Sequence, residues 1–318
     1  MKKLLLFMIL TAGIYSCSGD NCLISIDSFE FKEKPLQIYT KVLTTKSPNL
    51  IQEFTNGAII GLHVTSGNVG EVYRKNIDYK NVKSTAYLEN SKICWKQEPD
   101  ISLNSEITTV YAYYPYQPQT DFNATHIPVK ISPDATQTDD YMYGTLATGQ
   151  KSVNNMSPIA LLTMNHALSL ISFEVKTDIK ADSFLLNGIQ LGNKAGGNKL
   201  YSEGTMDIAS GTITGSTGIC SPTKLTTESP IQLTTTHCRP IQIMVIPTNN
   251  IIEEGDIEAL FFINNKTYRY LIPTNTEWQK GYKYQYKLTF NGNSLLLDKI
   301  LIDNWIPKEE NNISKNFI

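Results

Sequence analysis

From Tyr282 to Phe290 the chain alternates: Tyr282, Tyr284, Tyr286, Leu288 and Phe290 are apolar, with Lys283, Gln285, Lys287 and Thr289 between them. A period of two predicts a strand that buries one face. Asn291-Gly292 follows as a turn pair that tolerates positive φ, and the chain resumes through Leu295-Leu296-Leu297 and Lys299-Ile300-Leu301-Ile302. This last run is apolar on both faces, so it belongs between two layers or against something outside its own domain.

Alternation predicts a first strand at Leu36, Ile38, Thr40 and Val42, then a polar loop from Thr44 to Asn49 containing Pro48. Further strands are predicted at 59–64, 84–88, 92–95, 107–114, 126–129 and 159–163. A second series covers 167–175, 184–191, 240–247 and 260–271, the last a hairpin turning at Asn264-Asn265. Residues 182–236, rich in Gly, Ser and Thr, read as short strands joined by turns. Helical periodicity is nearly absent, which predicts an all-β fold of sandwich type, and each half has about the strands that one sandwich needs. The boundary is placed near Asn165, giving 47–165 and 166–318.

A length of 318 residues suits two domains, and 28 Lys and Arg against 30 Asp and Glu, with no basic run, argues against nucleic-acid binding. The first residues change the compartment. Met1-Lys2-Lys3 and the apolar run Leu4–Leu10 form a signal peptide, 1–16, too short to span a bilayer. It ends in Ile14-Tyr15-Ser16-Cys17, which looks like a bacterial lipobox, so that Cys17 is the lipidation candidate, with palmitate-like acyl chains anchoring the exported chain to a membrane.

Chemistry is sparse. The spacings of Cys22, Cys94, Cys220 and Cys238 match no zinc pattern, although Cys220 and Cys238 could pair across one loop. His63, His126, His166 and His237 are scattered, and Asp139-Asp140 reads as a solvated turn. No catalytic motif, phosphate loop or dinucleotide fingerprint occurs, so no enzyme, metal or cofactor is expected. The group Tyr111–Tyr116 is the one candidate ligand surface: Tyr113, Tyr114 and Tyr116 could stack on sugar rings, or fill the core at strand spacing.

Taken in order, Cys17, Ile60-Gly61-Leu62, Val110–Tyr116, Tyr141-Met142-Tyr143-Gly144, Asn165-His166-Ala167-Leu168, Trp278-Gln279-Lys280-Gly281 and Tyr284–Gly292, closing at Trp305, resemble the fimbrillin family of Bacteroidales, the type V pilins. The resemblance implies two transthyretin-like β-sandwiches and export through the periplasm as a lipoprotein of the outer membrane. It further implies polymerisation with other fimbrial subunits into an adhesive fimbrium that binds a host or bacterial surface ligand. In that family a protease removes the N-terminal strand after a basic residue, and the C-terminal strand of a neighbour fills the groove. Carried onto this chain, 17–46 is the removed segment and the cut falls between Lys46 and Ser47. The donor strand lies in 295–318, with Leu295, Leu297, Ile300, Leu301, Ile302 and Trp305 as its apolar residues. The other readings are a tip or anchor subunit that is not cleaved, and a lipid-anchored glycan-binding protein that uses the tyrosines.

Overall fold

The computed structural model describes residues 32–43, 51–74, 78–180, 183–248, 253 and 255–304. Residues 1–16, predicted to be a signal peptide, and Cys17, Cys22, Lys46, Ser47 and everything from Trp305 onward lie outside the described residues. The first half contains β1 (Lys34–Pro35), β2 (Gln37–Val42), β3 (Ile59–Thr65), β4 (Val82–Glu89), β5 (Lys92–Glu98), β6 (Ser102–Leu103), β7 (Thr109–Tyr114), β8 (Ile127–Lys130), β9 (Met142–Leu146) and β10 (Ile159–His166). The second contains β11 (Ser169–Thr177), β12 (Leu185–Asn193), β13 (Glu203–Met206), β14 (Ile213–Gly215), β15 (Thr223–Gln232), β16 (Ile241–Val245), β17 (Ile257–Ile263), β18 (Lys266–Leu271), β19 (Tyr282–Phe290) and β20 (Leu295–Asn304). One 3-10 turn, Ala135–Gln137, is the only helical element among the described residues, and the fold is all-β.

Seven strands form one sheet in the order β2-β10-β9-β7-β3-β4-β5. Its terminal strands approach each other, for the Trp95 Nε1–H of β5 donates to Thr40 Oγ1 of β2 at 3.3 Å. Leu36, Ile38, Ile60, Leu62, Trp95, Val110 and Leu162 therefore share one core. Alternate residues of β2 and β5 turn inward, whereas β3 is buried on both faces from Ile60 to Thr65.

The second half packs two four-stranded sheets, β16-β11-β19-β20 and β15-β12-β17-β18. Phe173 of β11 meets Phe261 of β17 edge-on at 5.4 Å, joining the two layers. Trp278, fully buried, donates its Nε1–H to Tyr286 Oη at 3.0 Å. On β19 the buried set is Tyr284, Tyr286, Leu288, Thr289 and Phe290, the alternation read from sequence with Thr289 added at the end and Tyr282 half-buried. The Asn264-Asn265 turn joins β17 to β18 with both residues in the left-handed region, at φ 48° and 61°, as a two-residue hairpin turn matched to strand twist requires.

A small sheet β14-β13-β8 takes β8 from the first half and β13 from the second, with Glu203 opposite Lys130 and Met206 opposite Ile127. Around it Tyr113, Ile127 and Tyr141 pack with Met206, Ile208 and Ile246. All described residues belong to one compact unit.

Two stretches differ from the sequence expectation. Asp139-Asp140 is not a solvated turn: Asp140 is buried, shares a 2.8 Å hydrogen bond with His166 Nδ1 and accepts the Ile51 N–H at 3.2 Å. A buried carboxylate needs such partners, and His166 supplies one from across the β9–β10 pair. In the Gly, Ser and Thr-rich region, β15 runs for ten residues rather than as a short strand. It is an edge strand that buries only Thr223, so its sequence needs no apolar alternation.

Candidate functional site

In the first described segment, β2 lies at the edge of the seven-stranded sheet. It runs parallel to β10, with Ile38 opposite Ala160 and Thr40 opposite Leu162, and is the sheet's one parallel neighbour among the described strands. Leu36 and Ile38 point into the core, and backbone N–H groups of Leu36, Gln37 and Leu43 donate to the carbonyls of Ile101, Pro158 and Met164 at 2.8, 2.8 and 2.9 Å. Ahead of it β1 pairs with β6, and Glu33 meets the Arg74 guanidinium. The described chain resumes at Ile51, tied to Asp140. Both flanks of the segment holding Lys46 and Ser47 are thus fixed to β10 and its surroundings.

The second surface is β20. Its register on β19 sets Leu295, Leu297, Ile300 and Ile302 opposite Phe290, Leu288, Tyr286 and Tyr284, on the core-facing side, and Leu296 and Leu301 on the other. Yet only Leu295 is buried; Leu296, Leu297, Leu301 and Ile302 are 53, 41, 37 and 60% exposed. The reason is position. β20 ends its sheet, and the opposite layer barely reaches beneath it, so both faces and one backbone edge meet solvent. The run apolar on both faces therefore pairs within its own chain as a hairpin partner, instead of lying between two layers. An open groove beside it is lined by Pro273, Thr276, Tyr282, Tyr284, Ile300 and Ile302.

A bulge opposite Lys287/Leu288 leaves Asp298 as the extra residue of β20. Its carboxylate accepts the Thr289 hydroxyl at 2.7 Å and lies 3.0 Å from His237 Nε2 and 3.9 Å from Lys176 Nζ. Polar contacts rather than apolar burial hold the middle of this strand.

The other candidates change meaning. Tyr113 faces no ligand: it is fully buried, its hydroxyl donates to Asn81 Oδ1 at 2.6 Å, and burial pushes its pKa up to about 12. Gly61 is what admits its ring, because a Cβ there would lie 2.1 Å from Tyr113 Cε1. Tyr114 tilts against Phe54 at 5.5 Å and Tyr116 packs on the core shared by the two halves, so the three rings form no common platform. Strand alternation sends Tyr113 and Tyr114 to opposite faces of β7, toward the core shared by the two halves and toward the first core. Cys220 and Cys238 do not pair: both are free, and the Cys238 sulfur accepts the Val175 N–H at 3.3 Å. Burial raises its pKa, leaving a thiol packed against the second core. Arg74 and Asp298 carry no local signal, and Asp140 reads only as a turn, because their roles depend on partners 41, 61 and 26 residues away.

No curated protein matches the chain. Among solved structures it is similar to a candidate cell adhesion protein from Bacteroides ovatus, with 18% identity over 87% of this chain and 100% of that one, at a TM-score of 0.61. A candidate cell adhesion protein from Bacteroides uniformis gives 14% identity, coverage of 86% and 98%, and a TM-score of 0.60. A fimbrial protein from Bacteroides vulgatus gives 17%, coverage of 86% and 100%, and 0.56. At these identities the likeness concerns the fold. The sequence itself matches the fimbrillin-like family over residues 40–305, nearly the whole described chain, and the protein is a member of that family.

Proposed function

We propose that the chain is a structural subunit of an adhesive cell-surface fimbria, exported as a lipoprotein anchored through Cys17 in the outer membrane. It is built as two transthyretin-like sandwiches, 47–165 and 166–318, and polymerises with other fimbrial subunits by donor-strand exchange. Family membership and similarity to a fimbrial protein support the fimbrial role. The observation that carries the assembly reading is β20, an edge strand with four large aliphatic side chains left in solvent. Monomeric proteins blunt such edges with charge, proline or cover, whereas a strand that will join another sheet needs them open.

In this reading cleavage between Lys46 and Ser47 frees β1 and β2 from the sheet edge along β10. While the segment is covalently attached it competes at an effective concentration that reaches millimolar for a short tether, far above free subunits. Once it is cut, a neighbour's 295–318 segment takes the place of Leu36 and Ile38 and restores the main-chain ladder.

Trypsin is added to purified chain, filaments are sought by electron microscopy, and the new N-terminus is sequenced. Filaments and a terminus at Ser47 are expected, with Lys46→Gln remaining folded and unpolymerised. A cut at Lys41 or Lys75 would refute the assigned switch. Filaments without any cut would favour a tip or anchor subunit that keeps its own strand.

A further inference from the structure

At the outer end of the β1–β2 slot, one charged side chain is held in place by residues outside the strand. Tyr73 is buried, stacks with Tyr79 at 5.9 Å and exchanges hydrogen bonds with Asn104, donating to Oδ1 and accepting from N, each at 2.9 Å. The Tyr79 hydroxyl accepts the Ser102 N–H at 3.0 Å. The Arg74 guanidinium lies over the Tyr73 ring, 4.9 Å from its centre, and its Nη2 donates to the Ser102 carbonyl at 2.8 Å. None of these contacts comes from β1 or β2. They fix a cation that is 16% exposed and aim Nη1 at the slot.

There it meets Glu33 Oε1 at 2.6 Å. Glu33 stands three residues before Leu36 and five before Ile38, the two side chains that the strand buries. Arg74 Nε is buried and has no hydrogen-bond partner among the described residues. If the segment leaves, the guanidinium loses its carboxylate while its stacking and its carbonyl bond persist. An occupant without an acidic group there leaves a half-buried cation unpaired, which is costly.

We propose that Arg74 is the specificity-determining residue of this slot. It selects an extended strand that carries a carboxylate three residues ahead of its first buried aliphatic side chain, as the chain's own 33–42 segment does. The proposal rests on the strand-release reading above and adds to it a chemical rule for which strand is accepted. Apolar burial alone accepts any aliphatic strand; a fixed cation at one end sets the register as well, because sliding by one residue would bury Gln37 and move Glu33 away.

The test uses full-length chain with a specific protease site replacing residues 45–49, nicked after purification. Excess fluorescent peptide KEKPLQIYTKVL, the sequence of 32–43, is added, and capture is followed by anisotropy in parallel with the same peptide carrying Gln in place of Glu33. Because Glu33 is half exposed, the glutamate peptide is expected to be captured about two- to fivefold better, and less so at high salt. The preference should vanish in Arg74→Met and turn to a peptide with Arg in place of Glu33 in Arg74→Glu. Equal capture of both peptides by the unsubstituted nicked chain, or a preference that persists in Arg74→Met, overturns the proposal. Failure to capture any peptide while the nicked chain keeps its own strand overturns the strand-release reading beneath it.

Discussion

Replacing Leu296 and Ile302 together by threonine should separate folding from assembly. Both lie on β20, one on each face, and are 53 and 60% exposed in the single chain. Threonine is β-branched, the shape that a strand favours. As surface changes, the two should cost the isolated subunit less than about 1 kcal/mol each. Assembly is a different matter. Full burial of a Leu or Ile side chain contributes about 1.5–3 kcal/mol, so covering the open half of both is worth about that much in total. The association constant should fall roughly ten- to hundredfold, and the critical concentration for filaments should rise by the same factor. Urea unfolding of uncleaved protein measures the first effect, and sedimentation of filaments across a concentration series measures the second. Leu295→Ala is the contrast: that side chain is buried in the second core, and its loss should cost about 2–4 kcal/mol of folding stability. A double variant that unfolds as readily as Leu295→Ala, or that assembles at the wild-type concentration, would refute this separation of folding from assembly.

Phe290, wedged between Phe184 at 5.0 Å and Tyr268 at 4.7 Å, should lose about 3–5 kcal/mol on replacement by alanine, measured by denaturant titration. On the opposite face of the same strand Lys287 lies 3.0 Å from the nearly buried Glu174 carboxylate, so Lys287→Ala should cost about 1–2 kcal/mol, and no loss would show that Gln285 satisfies Glu174 alone. An unfolded tyrosine ionises near 10 and folded Tyr113 near 12, so its contribution is complete below pH 10 and is lost as pH rises toward 12. Stability measured across pH 9–12 should fall, and Tyr113→Phe should flatten part of that slope; an unchanged slope would refute the assignment.

Alternation was enough to read β19 and the pair Asn264-Asn265, since local geometry alone decides which way successive side chains point. It carries no information on which strands become neighbours. That Lys287 is more than a solvated lysine depends on Glu174, which stands on the neighbouring parallel strand 113 residues earlier. Asp140 looks like any acidic turn residue until β9 and β10 bring His166 to it. The exposure of β20 was equally hidden: its sequence demands cover, but whether cover arrives depends on how far the opposite sheet extends. Arg74 carried no signal either, because a lone arginine becomes a recognition element only when Tyr73 and Ser102 hold it beside Glu33.

The sheet that β8 and β13 share bears on how a filament would withstand pulling. Two beads on a flexible string would swivel and stretch under flow. Here the halves are stitched by an antiparallel ladder from Glu203–Lys130 to Met206–Ile127, and Lys280, in the loop before β19, reaches over the Tyr143 ring of β9. Tension along the chain would have to break that ladder and the Lys280 contact before the halves could part, so each subunit should behave as a stiff link, with flexibility left to the joints between subunits.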